Sequence, residues 1–465
     1  MMVGRERELW TLQRLYARGG FQFPVLFGRR RVGKTYLMSH FAQDKPTIFF
    51  TAVEDNAVLN LRNLSREIYA YDQPDADPRL APLYQDFQTA FEAVFTRATK
   101  RQVVFIIDEY PYLAKADASI PSILQALIDR HRESSQLYLI LCGSSLSFMR
   151  ERVLGEKSPL YGRRTAQVEL HPLDFQDARR FFPALDPVSA AELYGMAGGV
   201  PLYLQQFDDS ISVDENIVKA FLDPSSILYE EPVNLLKQEI QKSSAYNAII
   251  EAVASGKTEN NEIATSAGIA SGDLTYYLKE LQRIGLIEKE RPVCGGSRRP
   301  VYRLSDNLFR FWYRFILPNR SAIERHMPQR VVKLIRGRLS EYMGPVFEQI
   351  CCEWLWRQNA AGTLGDGFDE VGRWWGNNPK KRRQEEIDIV CLADGVPVAL
   401  GECKWRNEQV GLEVLRVLDE RSELVHAPYE AQRFLFSKTG FTEATRELAA
   451  NDARIHLVSL EEVAG

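Results

Sequence analysis

An apolar stretch from Phe21 to Phe27 runs directly into Gly28-Arg29-Arg30-Arg31-Val32-Gly33-Lys34-Thr35, and the helix-like Tyr36 to Gln43 follows. A buried strand, a glycine-bounded loop and a helix in that order commit the chain to an α/β unit. The backbone N–H groups of such a loop face a phosphate at the helix N-terminus. Gly28 and Gly33 let the loop curl tightly, Lys34 reaches the β- and γ-phosphates, and Thr35 coordinates magnesium. The plainer alternative is a Gly-Lys turn at a helix start, which the strand–loop–helix context disfavours.

About eighty residues on, Val103-Val104-Phe105-Ile106-Ile107-Asp108-Glu109 ends an apolar run in two acids. It reads as a central parallel strand with carboxylates at its C-terminal edge, where α/β sheets place their chemistry. Asp108 fits a magnesium ligand. Glu109 fits a base orienting water against the γ-phosphate, so hydrolysis is expected as well as binding.

The chain of 465 residues has room for roughly three or four domains. No uncharged apolar run approaches the roughly 20 residues that span a membrane. The charged start Met1-Met2-Val3-Gly4-Arg5-Glu6 reads as helix entry with no signal peptide, which makes a cytoplasmic location the simplest reading. The six cysteines form no C-x-x-C pair and the six histidines are dispersed, which argues against a zinc ribbon, a disulfide scaffold and a hydrolase triad. The net charge of −4 is unevenly spread. From Lys279 to Arg338 basic residues outnumber acidic ones by well over two to one, which makes this stretch the candidate nucleic-acid surface.

Strand-like runs at Phe23–Phe27, Thr47–Thr51, Val103–Ile107, Leu137–Cys142 and Thr165–Leu170 alternate with helical patterns such as Ile123–Arg132. This alternation predicts a parallel sheet with helices on both faces, interrupted by a surface loop at Asp72–Pro82. Helical patterns from Asp174 to Gln241, broken by Gly198-Gly199-Val200-Pro201, read as a small lid. Two helices at Tyr246–Ala254 and Glu259–Ala267 precede a third, N-capped by Ser271 and ended by Gly285. Leu286–Arg291 and Pro300–Leu304, joined by Cys294–Arg299, complete a winged helix-turn-helix. Thr275, Tyr276, Lys279, Gln282 and Arg283 lie on or near the exposed face of its recognition helix. Basic wing residues Arg298, Arg299 and Arg303 favour DNA contact, and protein docking is the alternative.

Near the C-terminus, Glu385–Leu392 and Val396–Lys404 flank the turn residues Ala393-Asp394-Gly395 and form a hairpin by pattern. Glu402 and Lys404, two apart, project to one face. Asp388 opposes Glu402 if the connection has three residues or contains a bulge, whereas a strict two-residue turn sends the acids to opposite faces. An Asp followed by Glu-x-Lys on the adjacent strand is the constellation of metal-dependent phosphodiester cleavage. Asp388 and Glu402 offer hard oxygens to magnesium or manganese, and Lys404 holds or deprotonates the attacking water. Glu348, in the helical stretch Pro345–Arg357, can complete the acidic cluster. A surface ion-pair ladder is the alternative, disfavoured because unpaired charge in an apolar strand is costly. Arg373, Trp374, Trp375 and the run Lys380–Arg383 either guide a phosphate backbone and stack bases, or are core tryptophans and a solvated loop.

Together these residues resemble the archaeal-type ATPase family, a branch of the AAA+ and STAND-like P-loop ATPases, over nearly the whole chain. The resemblance implies that Val3–Leu9 is a box near the adenine, that Ser144 in Gly143-Ser144-Ser145 senses the γ-phosphate, and that Gly199-Val200-Pro201 is a lid motif closing on the base. Pro159–Arg164 looks like the family's arginine segment. Arg163 or Arg164 then acts as a finger on a neighbouring subunit, with a structural salt bridge as the equal alternative. Leu308–Phe315 and Tyr342–Glu348 resemble a C-terminal domain of PD-(D/E)XK nuclease type. That match brings Glu348, Asp388, Glu402 and Lys404 into one site, with Ile387 in place of the motif's proline.

The sequence thus predicts an α/β P-loop ATPase core (1–172), a helical lid (173–240), a winged helix-turn-helix (241–306) and a restriction-endonuclease-like domain (307–465). Its expected cofactors are ATP and Mg2+, with Mn2+ an option at the second site. Its expected partner is DNA, double-stranded by preference, with no membrane and with a homo-oligomer left open. Hydrolysis is expected to time access of DNA to the C-terminal site. The runner-up is a signalling or scaffold ATPase that binds without cutting, and a third reading is an ATP-driven motor on DNA.

Overall fold

The computed structural model describes residues 2–240, 243–295, 299–365 and 367–465. It divides into two compact units, Met1–Pro172 and Leu173–Gly465. Among the described residues no helix is long and apolar enough to cross a membrane.

The first unit holds five strands, β1 (Pro24–Gly28), β2 (Thr47–Thr51), β3 (Val103–Asp108), β4 (Leu137–Gly143) and β5 (Ala166–Leu170). All pair in parallel, in the order β2-β3-β4-β1-β5. The strands that read as continuous apolar runs, β1, β3 and β4, are buried at every residue, while the edge strands β2 and β5 are only partly covered. Successive side chains feed opposite cores. Val25, Phe27, Phe105, Ile107, Leu139 and Leu141 pack on one face, and Leu26, Val104, Ile106, Ile140 and Cys142 on the other, against the helices Glu6–Arg18 and Lys34–Ala42. The Asp72–Pro82 stretch carries a short 3-10 turn, Pro78–Leu80, capped by Asp77. The loop helix starts at Lys34, two residues earlier than its sequence pattern suggested, because Gly33 in the left-handed region (φ 93°) closes the loop and releases the chain directly into helix.

In the second unit, helices from Phe175 to Glu239 lead into three more at Ser243–Ala254, Asn260–Ala267 and Ser271–Arg283, then an antiparallel ribbon of β6 (Ile287–Glu290) and β7 (Val301–Leu304). Ser271 is the first helical residue and not the cap: Ala270 has the extended backbone of the capping position. Arg298 lies outside the described residues. The segments expected as lid, winged helix and C-terminal domain share one continuous core from Leu173 to Ala464. A 33-residue helix, Pro328–Ala360, runs through this core, beginning well before the Pro345 start suggested by the sequence.

A mixed sheet follows: β8 (Glu370–Asn378), β9 (Arg383–Ala393), β10 (Val396–Lys404), β11 (Gln432–Ser437) and β12 (Ile455–Ser459), in the order β12-β11-β10-β9-β8. β8, β9 and β10 form an antiparallel meander, and β11 and β12 add in parallel after the helices Leu412–Ser422 and Glu443–Asn451. The β9–β10 turn has two residues, Asp394 (φ 50°) and Gly395 (φ 77°), because Ala393 still pairs with Val396. Positive φ at both positions is what a tight hairpin matching the strand twist requires.

Candidate functional site

The order of the first sheet sets the ends of β1, β4 and β3 side by side at one edge, bringing Lys34, Ser144 and the Asp108-Glu109 pair together. A Cβ on Gly28 would stand 2.4 Å from the Leu170 carbonyl oxygen, so only glycine lets the loop leave β1 against β5. Lys34 Nζ donates to the carbonyls of Gly28 (3.0 Å) and Arg29 (2.8 Å). Burial lowers its pKa, against the opposing pull of Cys142, Glu109 and Asp108. Gly33 offers no side-chain cap to the helix behind it. A desolvated ammonium bonded to carbonyls beside uncapped amides is a site short of an anion, and a phosphate fits it.

Thr35 Oγ1 donates to Asp108 Oδ2 at 2.8 Å, which sets two magnesium-type oxygens together. Asp108 Oδ1 accepts from the Glu109 N–H at 2.9 Å. Glu109 itself takes a left-handed backbone (φ 50°), and its Oε2 accepts from Ser144 Oγ at 2.8 Å. Non-glycine residues in this region are uncommon and cluster at functional sites.

Arg5, in the N-terminal box, donates from Nη2 to the carbonyls of Val32 (3.0 Å) and His171 (2.7 Å) and so ties the loop to the segment after β5. Arg163 is engaged by Asp129 through two hydrogen bonds of 2.7 and 2.6 Å, the salt-bridge use of this residue. Arg164 donates to the Leu154 carbonyl at 3.3 Å. Pro201 opens a four-residue helix in the second unit, and Gly199 is held there by the Leu173 N–H on its carbonyl at 2.7 Å.

In the second unit the β9–β10 hairpin meets its geometric condition through a bulge. Pro397 pairs with Leu392 but Ala399 pairs with Cys391, which leaves Val398 as an extra residue and carries Gly401 opposite Ile389. Asp388 and Glu402 therefore converge. Lys404 Nζ donates to Glu402 Oε2 at 2.5 Å and to Asp388 Oδ2 at 3.4 Å, and Asp388 Oδ2 also accepts from the Cys403 N–H at 2.9 Å. Burial and the Asp388 charge push Glu402 up to about 7. Burial pulls Lys404 down, but Asp388 and Glu402 outweigh it and hold the ammonium above the ordinary lysine value.

Arg421 Nη1 reaches Glu402 Oε1 at 2.9 Å, and its Nε reaches Glu385 at 3.0 Å. Glu348 is pushed up to about 8 by burial and by Asp388, and it ion-pairs with Arg373 at 3.1 Å. Arg373 is also held by Glu386 (3.1 Å) and by Glu290 of β6 (3.7 Å). Among the described residues no three ligating side chains are gathered closely enough to hold a metal. Glu348 is thus within electrostatic range of the Asp388–Glu402 pair and is tied to Arg373 instead of joining it. Sequence reasoning missed Arg421 and Glu385. The excess of acids around Asp388 was the one available signal that further cations must lie nearby.

The basic surfaces are largely compensated. Arg283, Arg303, Arg314, Arg320 and Arg336 all pair with acids, and Lys380 and Lys381 pair with Glu423 and Glu420. Thr275, Tyr276, Lys279 and Arg283 are exposed on their helix, and Gln282 is half-buried. Trp374 is core at 3% exposure, whereas Trp375 is partly accessible.

Residues 2–207 match a family described as an ATPase domain predominantly from Archaea, and residues 312–416 match one described as archaeal and bacterial proteins of unknown function. An uncharacterized Methanocaldococcus jannaschii protein, MJECL04, is 34% identical over 430 residues, covering 91% of this chain and 92% of its own length. Among solved structures, the Walker-type ATPase PABY2304 of Pyrococcus abyssi aligns with a TM-score of 0.53 at 18% identity, covering 67% of this chain and 96% of its own, a likeness of fold. With the phosphate loop, the strand-end acids and a full-length relative in agreement, the chain belongs to the same family as the M. jannaschii protein and carries the archaeal-type P-loop ATPase domain at its N-terminus.

Proposed function

We propose that the chain hydrolyses ATP in its first unit and engages DNA through its second, cutting it at Asp388, Glu402 and Lys404 under nucleotide control. The convergence of Asp388 and Glu402 on one lysine ammonium across a bulged hairpin carries the cleavage reading. The order of long helix, antiparallel meander, helix and parallel strand supports a restriction-endonuclease-like layout. The three helices and ribbon at 243–304 support a winged helix, with Tyr276 and Lys279 exposed for a strand of DNA.

In the first unit, Lys34 and the loop amides hold the phosphates, Thr35 and Asp108 hold magnesium, and Glu109 orients water and takes its proton. Ser144 positions the Glu109 carboxylate. In the second, Asp388 and Glu402 are the oxygens for magnesium or manganese, and Lys404 orients the attacking water. A divalent cation at either site would supply charge neutralisation on the phosphate oxygens. Arg163 and Arg164 remain the candidates for an arginine donated between subunits, and Pro201 for the base-closing lid.

The test compares cleavage of linear and circular, single- and double-stranded DNA with magnesium or manganese, with and without ATP, for the native chain, Lys404→Ala and Lys34→Ala. Cleavage lost in Lys404→Ala and altered in Lys34→Ala supports the proposal. A second reading, an ATPase whose second unit binds without cutting, is favoured by the pairing of Glu348 with Arg373 and of Glu402 with Arg421. It gains if ATP hydrolysis is intact and no DNA is cut under any of these conditions.

A further inference from the structure

Between the first helix of the 243–304 segment, strand β7 and the long Pro328–Ala360 helix lies a cavity of about 180 Å³, wholly within the second unit. Apolar side chains of Val253, Ala254, Leu304 and Pro345 line it together with Arg303, Arg310 and Arg314. Three guanidinium groups on an apolar cavity are costly unless each has a partner.

Two of the three are compensated. Arg314 pairs with Glu341 at 2.7 Å, and that acid is 72% exposed at the rim. Arg303 pairs with Glu290 at 3.0 Å. Arg310 differs: its Nη2 donates to the Leu304 carbonyl at 2.7 Å, and its Nη1 is buried with no hydrogen-bond partner among the described residues. Glu288 is in electrostatic range of Arg310 and Arg303, but among the described residues it is ion-paired with neither.

We propose that this cavity is an anion site taking a phosphate group, with the Arg310 guanidinium, ion-paired with no acid among the described residues, as its central charge and Arg303 and Arg314 flanking it. Guanidinium donors match phosphate oxygens in geometry and charge. The volume is below the roughly 300 Å³ at which pockets accept a drug-sized molecule, so it takes a phosphate and its first substituent and not a whole nucleotide. Two sources share this chemistry: inorganic phosphate and the 5′-phosphate terminus of a nucleic-acid strand. The site is separate from the Asp388–Glu402 pair and does not depend on cleavage there.

The test is titration calorimetry of the full chain carrying Lys34→Ala, which removes the phosphate loop's own ammonium. Probes are inorganic phosphate and one oligonucleotide with a 5′-phosphate or a 5′-hydroxyl. Arg310→Gln and, with every arginine kept, the cavity-filling Ala254→Leu each weaken phosphate binding at least about tenfold. A 5′-phosphate preference that Ala254→Leu abolishes identifies the strand terminus as the source. Equal binding of the two oligonucleotides, with inorganic phosphate still bound, identifies the free ion. Absence of binding to inorganic phosphate and of any 5′-phosphate preference, or binding unchanged in Ala254→Leu, overturns the proposal.

Discussion

Ser144 Oγ donates to Glu109 Oε2 at 2.8 Å, so the acid at the end of β3 is held by the residue following the neighbouring strand β4. Glu109 has a left-handed backbone, and among the described residues Ser144 is the one side chain that donates to its carboxylate, which makes Ser144 the group that fixes its direction. A hydrogen bond to a charged group is worth about 1.5–3 kcal/mol. Ser144→Ala is expected to lower kcat for ATP about tenfold or more with KM nearly unchanged, measured by phosphate release. A raised KM with kcat unchanged would mean that Ser144 acts on nucleotide binding instead.

Lys34 separates function from stability. Its pKa is lowered by burial, so folding bears the cost of a desolvated cation bonded to two backbone carbonyls. Lys34→Met is expected to weaken ATP binding by about 100-fold while shifting Tm by no more than about 2 °C. Calorimetric titration and thermal unfolding check the two halves, and a large fall in Tm would show that the ammonium is a structural staple.

The hairpin register makes a sharper demand. Inserting one residue after Val398, the bulge residue, moves every later residue of β10 one place against β9, which turns Glu402 and Lys404 away from Asp388. The variant is expected to lose several kcal/mol in urea unfolding, since Glu402 is 3% exposed and would leave Arg421 behind, as Lys404 would leave Asp388. A midpoint close to that of the native chain would show that the pairing can re-form in another register.

That bulge also marks where the sequence stops being legible. β1, β3 and β4 can be read directly because strands buried on both faces must be continuous apolar runs. The same continuity in Val396-Pro397-Val398-Ala399-Leu400 conceals the extra residue, since a run without alternation carries no register. The shared core of the second unit was hidden for a related reason: periodicity says which side chains are buried, not what they are buried against. Arg373 looked like a residue for a phosphate backbone, yet its partners Glu290, Glu348 and Glu386 come from three separate elements that only the fold brings together.

Glu353 supplies a pH signature. It is pushed up to about 7, first by burial, although the Phe175 N–H, Tyr194 and Gln349 all donate to it. An acid whose folded pKa lies above its unfolded value binds its proton more tightly when folded. Its stabilising contribution is therefore full below about 4.5 and is lost as pH rises through about 7. Glu353→Gln is expected to remove up to about 3 kcal/mol of that loss, making the variant the more stable protein at pH 8 and not at pH 4. Urea midpoints at the two pH values check it, and a constant difference between the proteins would exclude the carboxyl as the source.

The last prediction concerns what stands between Asp388 and Glu402. Lys404 Nζ now bonds both carboxylates, and burial with mutual repulsion already holds Glu402 far above an ordinary glutamate. Removing the ammonium leaves two buried acids facing each other, so Lys404→Met is expected to cost about 1–3 kcal/mol at pH 8, the charge being partly exposed. If these acids form a cation site, magnesium or manganese takes over the lost compensation. Either ion should then raise the Tm of Lys404→Met by more than it raises that of the native chain, as any ligand selective for the folded state does. Calcium and sodium at matched ionic strength separate site binding from screening. A Tm response equal in the two proteins would mean that Asp388 and Glu402 are an ion-pair ladder and not a metal site, and it would do so without any reference to cleavage.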